Sequence, residues 1–171
     1  MVALILAIAL LAGGPEPTAT SGVGDPAPPL EIVAPGGQSA RGGLDGEIVV
    51  VDFFATWCEP CHRALHDLIA IREAVGPRLR FVLVSVGEPP ETVRDFFGHN
   101  PLPGGAQVTL DLGGDTMRRW GARTFPTTFL VDRTGVIRHI NRGWGAGYQA
   151  RLLGWLRVML GNAPPPPKTK K

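Results

Sequence analysis

The chain is predicted to be an α/β protein with a central mixed sheet flanked by helices. Three observations carry this. Two near-continuous apolar runs, "EIVVVDFFA" and "RLRFVLVSV", read as strands buried on both faces, as in a sheet covered on each side. Stretches with helical spacing follow those runs in alternation. Late in the chain, "TTFLVDRTGVIRHIN" reads as two strands around a tight turn containing Gly135, which adds an antiparallel hairpin.

In chain order, the strand at 47–55 comes first. "CHRALHDLIAIREAV" then has helical spacing, with Cys61, Leu65, Leu68 and Ile69 on one face. The strand at 78–86 follows. "PPETVRDFFGH" reads as a helix with Pro90 in its first turn, where a missing N–H costs nothing, and with Gly98 and Asn100 near its end. "AQVTLDL" is a short strand and "DTMRRWGA" a short helix. After the hairpin, "GYQARLLGWLRVML" closes the domain as an amphipathic helix. Trp120, Trp144 and Trp155 read as packing residues.

A length of 171 residues with 44% apolar content suits one domain with a proper core. The net charge of +2, from 17 basic and 15 acidic residues, gives no footprint for nucleic acid or an acidic partner. The apolar run "MVALILAIALLA" is too short for an ordinary membrane span, which needs ~20 apolar residues. Residues 1–14 fit a signal peptide or N-terminal anchor, although no Lys or Arg precedes the run. Residues 15–24 read as a linker, 25–161 as the domain, and 162–171, with "PPPPKTKK", as a disordered tail. Export follows from the first segment, into a compartment where a cysteine pair persists oxidised.

The two cysteines, Cys58 and Cys61, stand in "FFATWCEPCHRALHDL" between the first strand and the first helix. C-x-x-C fits a redox pair or half of a metal site, and the following His62 adds haem attachment. Haem would require both cysteines turned outward and His62 free, whereas helical spacing turns Cys61 inward. Zinc would need His62 or His66 beside the cysteines, and histidines on a solvated helix face are common. For redox chemistry the spacing is apt. Cys58 falls at the helix N-terminus, where free N–H groups and the helix dipole favour a thiolate, the form that attacks disulfides. Cys61 lies near enough to resolve a mixed disulfide. Cys58 is expected to be exposed and Cys61 sheltered, with Pro60 in the first turn. Asp52 interrupts a fully apolar strand, a costly place for a carboxylate without a task. It is expected to be buried, with a raised pKa, and to serve as base for Cys61.

Taken together, the strand, Trp57, the C-x-x-C at a helix start and the later "TFPTTFLVD" resemble the thioredoxin superfamily. "GDPAP" at Gly24–Pro28, W-C-x-P-C at Trp57–Cys61 and an extra strand and helix at about 87–121 resemble its extracytoplasmic TlpA-like branch. The resemblance implies a thioredoxin fold and a thiol–disulfide oxidoreductase acting as a reductant, without a bound cofactor. It implies a protein dithiol or disulfide as substrate, a membrane electron carrier as recharging partner, and a monomer in or facing the periplasm. It also implies a cis-proline at Pro126, with Thr124 and Phe125 binding the substrate backbone, and Trp57 roofing the site. Peroxiredoxins share the "GDPAP" opening, but their P-x-x-x-T-x-x-C would need Pro and Thr where Val51 and Ala55 stand. Many TlpA-like proteins read C-x-x-C-x-x-E-x-P. The resemblance implies a reductant that often serves cytochrome c maturation, but here Ala64 and His66 occupy the last two motif positions, which points to a broader or different substrate. Glu59 between the cysteines opposes a Cys58 thiolate, so the reduced form is less stabilised and the pair is expected to be reducing. A different class remains open: a thioredoxin-fold binding module whose cysteine pair is merely structural.

Overall fold

The computed structural model describes residues 21–34, 39–42, 44 and 46–161. The proposed signal or anchor, linker residues 15–20 and the tail at 162–171 lie outside the described residues. No helix among the described residues is long and apolar enough to cross a membrane.

The elements follow in order: β1 (Leu30–Val33), β2 (Ser39–Gly42), β3 (Ile48–Phe54), α1 (Glu59–Val75), β4 (Leu79–Val86), α2 (Pro90–His99), β5 (Gln107–Asp111), α3 (Asp115–Arg119), β6 (Thr127–Val131), β7 (Ile137–Arg142) and α4 (Tyr148–Met159). Five strands form one mixed sheet in the order β5-β4-β3-β6-β7. The β3, β4 and β5 strands run parallel, and β6 and β7 run antiparallel to their neighbours. This is the α/β architecture expected, with β3 at its centre.

Every residue of β3 is buried, and the strand period of two divides them between two cores. Val49, Val51 and Phe53 pack with Leu30, Trp120, Phe129 and Ile137 on one face. Ile48, Val50 and Phe54 pack with α1 and α4 on the other. Burying each such side chain contributes ~1.5–3 kcal/mol, so the central strand is firmly seated from both sides. Asp52 has the parity of Val50 and Phe54. Its carboxyl therefore replaces an apolar group on the face that α1 covers.

The α1 helix buries Cys61, Ala64, Leu65, Leu68, Ile71 and Val75. Ile69, expected on that face, is only half-buried. The stripe is centred on Ala64, Leu68 and Ile71, which leaves Ile69 at its margin. The β1–β2 hairpin was not anticipated. It is tied to β5 through Thr109, whose hydroxyl accepts from the Val33 N–H (2.8 Å) and donates to the Glu31 carbonyl (2.9 Å). Residues 21–24, read as linker, are bonded to the domain. The Gly24 N–H donates to the Ile137 carbonyl (2.8 Å), and the Ser21 hydroxyl to the Arg119 carbonyl (3.3 Å).

Candidate active site

Cys58 is the N-cap residue of α1, with extended backbone at φ −88° and ψ 101°. Glu59 and Pro60 form the first helical residues. The Cys61 and His62 N–H groups both donate to the Cys58 carbonyl, at 2.9 and 3.3 Å, so the helix closes directly on the first cysteine. Cys58 and Cys61 are joined by a disulfide with Cα atoms 5.2 Å apart. Both are buried, at 6% and 3% exposure. The expectation of an exposed Cys58 is corrected here. The bond aims its sulfur at Cys61, and the residue belongs to the same apolar cluster as Phe54, Ala55 and Leu65.

Trp57, the residue before Cys58, is 73% exposed. Its ring meets Phe125 edge-on, with centroids 5.8 Å apart. That contact joins the cysteine loop to the segment before β6. There the Phe125–Pro126 peptide bond is cis, with Thr124 exposed, Phe125 half-buried and Pro126 buried. The Thr127 hydroxyl donates to the Thr124 carbonyl (2.6 Å), which folds this segment back on the start of β6. Glu59 is exposed and lies near His62 (3.6 Å) and Arg63 (3.4 Å), so its charge is shared with its own helix.

Asp52 is 3% exposed, beneath α1. Burial pushes its carboxyl up to about 7, partly opposed by a hydrogen bond from the Thr128 hydroxyl. A small cavity of about 10 Å³ joins Asp52 to Cys61 and His62, closed by Leu65, Phe96 and Phe97. That space admits about one water molecule, enough to bridge a carboxyl and a thiol.

Sequence reasoning missed a second carboxyl. Glu88 is 5% exposed, just past the end of β4. The Thr56 N–H donates to both its oxygens (3.1 and 2.9 Å), the Thr56 hydroxyl to one (2.5 Å), and the Ser85 hydroxyl to the other (2.6 Å). Gly87, at φ +73°, permits the turn that brings Glu88 back. On the other side, His62 Nε2–H donates to the Thr56 carbonyl (2.6 Å). The residue two before Cys58 is thus clamped from β4 and from α1. The available signal was positional: "VGE" ends a central parallel strand, and carboxyl ends of such strands are where sites gather.

A larger cavity of about 320 Å³ lies at the opposite end of β3, beside Ile48, Asp132 and Trp155. Its acid, Asp132, is engaged by Thr134 and Arg138. No redox or nucleophilic pair borders it. Among the described residues, no group of three His, Cys, Asp or Glu side chains is placed to hold a metal.

A disulfide capping the helix after the central parallel strand, linked through the Trp57–Phe125 contact to a cis-proline segment, marks the thioredoxin-like class of thiol–disulfide proteins. The chain belongs to the AhpC/TSA family, whose model matches residues 23–140. It is 30% identical over 132 residues to the thiol-disulfide oxidoreductase ResA of Geobacillus kaustophilus, across 75% of this chain and 73% of that one. It is 31% identical over 101 residues to ResA of Geobacillus thermodenitrificans, across 57% of this chain, and it spans 56% of that protein's length. Among solved structures it is similar to a chain described as the thiol:disulfide interchange protein DsbE of Chlorobium tepidum, at 25% identity and a TM-score of 0.73. That match covers 82% of this chain and 99% of the other. The homologues are thiol-disulfide oxidoreductases. At the two positions where a peroxidase would need Pro and Thr, the chain has buried Val51 and Ala55.

Proposed function

We propose that the protein is an extracytoplasmic reductant of protein disulfides, with the Cys58–Cys61 pair as its redox couple. The observation that carries the reading is the disulfide at the N-terminus of α1, linked through Trp57 and Phe125 to the cis-Pro126 segment. In the reduced protein, Cys58 thiolate attacks one sulfur of a substrate disulfide. A mixed disulfide forms and one substrate thiolate leaves. Asp52 then takes the proton of Cys61, directly or through one water. The Cys61 thiolate attacks the Cys58 sulfur, the second substrate thiolate leaves, and the intramolecular disulfide is regenerated. Two electrons pass to the substrate.

Trp57, Thr124, Phe125 and Pro126 form the substrate face in this reading. Glu59 and Pro60 shape the first turn below it. Recharging requires a dithiol donor, and a membrane electron carrier fits a protein exported or anchored by its N-terminus. The protein acts as a monomer and needs no bound cofactor. Ala64 and His66 replace the acid and proline of the TlpA-like motif, so we assign a substrate range broader than, or different from, cytochrome c maturation.

Haem attachment is disfavoured because both cysteines lie inside the apolar cluster and His62 is committed to Thr56. Insulin reduction separates an oxidoreductase from a binding module. Turnover with dithiothreitol supports the proposal, and a C58S-like background rate from the unaltered protein rejects it.

A further inference from the structure

Asp52 does not stand alone in the core. Thr128 lies directly across from it in the antiparallel pairing of β3 with β6. The Thr128 hydroxyl donates to Asp52 Oδ1 at 2.7 Å, and the same oxygen is 2.7 Å from the Tyr148 hydroxyl. All three residues are buried. They come from three elements: a central strand, its antiparallel neighbour and the first residue of α4.

A hydroxyl carries one proton, so the direction of these bonds can be worked out. When Asp52 is ionised, Thr128 gives its proton to the carboxylate. Tyr148 must then give its own to Thr128. Every proton in the chain points toward Asp52, and no donor is wasted. Each bond polarises the next, which strengthens the donation reaching the carboxylate. When Asp52 is neutral, with its proton on Oδ2, Oδ1 still accepts from Thr128, but an uncharged oxygen is the weaker acceptor and the donated bonds gain less. The ordered chain therefore favours the ionised acid against the burial that opposes it.

Resting on the reading of Asp52 as base for Cys61, we propose that Thr128 and Tyr148 are positioning residues: a buried hydroxyl chain that orients Asp52 and holds its proton affinity within the working range of the resolving step. Burial, Asp52 and Asp67 push the Tyr148 phenol well above its ordinary range, against Thr128 and Arg151, so it remains a donor throughout that range. The other groups facing Asp52 are Cys61 and His62 from α1. The α2 helix contributes only Phe96 and Phe97, and β4 contributes Leu83. Neither supplies a charge that could substitute for the hydroxyls. Thr128 also lies two residues beyond cis-Pro126, so the strand that continues from the proposed substrate segment carries the link to the base.

The test isolates resolution. Reduced protein is mixed with 5,5′-dithiobis(2-nitrobenzoate). Cys58 thiolate displaces one thionitrobenzoate and forms a mixed disulfide; Cys61 thiolate displaces the second and closes the Cys58–Cys61 bond. The rate of the second release is followed from pH 5 to 9. T128V is expected to raise the pH midpoint by about one unit, because an ionised acid loses its donor. Y148F should raise it by a smaller amount in the same direction, and T128S should keep the unaltered midpoint. In a D52N background, Y148F should have no effect on the profile. Unaltered profiles in both T128V and Y148F, with a changed profile in D52N, overturn the chain. A shift in T128V without one in Y148F overturns the tyrosine's part and with it the three-member chain. An unchanged D52N profile instead removes the base assignment itself. If T128V does not fold, Y148F alone and in D52N decides.

Discussion

Replacing Asp52 by Asn removes a carboxyl that the folded protein buries and that burial pushes from 3.8 up to about 7. Between those values the folded, oxidised protein holds a proton that the unfolded chain has released. Stability therefore falls as pH rises through this window, and above about pH 7 the full cost is present. At 1.36 kcal/mol per unit, the cost is ~4 kcal/mol, a large part of the ~5–15 kcal/mol that holds a typical domain together. Other groups bend the profile differently. His139 is pushed down to about 4 by burial and by Arg151, so its contribution is lost as pH falls from 6.5 toward 4. Burial raises Asp132, but its bonds to Thr134, Arg138 and Val136 together outweigh that and lower it to about 2, so its contribution is lost only in stronger acid. The unaltered protein thus mixes opposing slopes between pH 4 and 6.5. The difference between it and D52N cancels the shared groups. Asn is nearly the same size, and its carbonyl oxygen still accepts from Thr128. Urea unfolding of both oxidised proteins at pH 4, 6 and 8 is expected to show D52N gaining ~4 kcal/mol relative to the unaltered protein across that range. A difference that stays constant within ~0.5 kcal/mol would mean that Asp52 titrates alike folded and unfolded, and the burial argument would be wrong.

Three further outcomes are expected. C61S should accumulate mixed disulfides with substrate, visible as adducts that dithiothreitol releases, whereas C58S should form none; the reverse pattern would exchange the two roles. E88Q should cost ~1.5–3 kcal/mol in urea unfolding, because one of the two oxygens clamping Thr56 becomes an amide, and it should slow insulin reduction by loosening the Trp57 loop. An unchanged rate and stability would make that clamp incidental. A glutathione redox titration should place the potential nearer ~−270 mV than ~−120 mV, since Glu59 beside Cys58 opposes a thiolate and shares its charge only with exposed helix partners. A value above ~−180 mV would make the protein an oxidant or isomerase.

What could be read from the sequence divides along physical lines. The β3 and β4 strands were legible because strands buried on both faces leave unbroken apolar runs, and α1 and α4 because helices leave a periodic stripe. Asp52 was legible for the same reason: it is the one charged residue within the β3 run. The β1–β2 hairpin left no such trace. Its strands have four residues each, and its attachment runs through the hydroxyl of Thr109, far along the chain. The burial of Cys58 was hidden because spacing places a residue on a helix end without saying which way its sulfur turns once bonded. Glu88, Thr128 and Tyr148 were hidden more deeply. Each looks ordinary in its own segment, as a helix-start acid, a strand threonine and a helix tyrosine. Only strand order brings the first under Thr56 and the other two onto Asp52.

That placement bears on the missing motif acid. Position 64, where many TlpA-like proteins carry Glu, is a fully buried Ala in the cluster around the cysteines, and His66 is exposed. The protein has not lost acids near its cysteines; it carries them on adjacent parallel strands, Asp52 within β3 and Glu88 just beyond β4. An acid at position 64 would sit on the helix that carries Cys61. Asp52 instead sits on the central strand, which is paired on both edges and packed on both faces. Its hydroxyl partners come from β6 and α4, not from the turn that holds the cysteines. Glu88 divides the labour differently, because its bonds end on the backbone and side chain of Thr56 and so fix the loop that presents Cys58. On the proposed reading one carboxyl serves the proton and the other the geometry, and the two are separable by experiment. D52N should alter the pH profile of resolution with the loop intact, whereas E88Q should lower the rate at every pH.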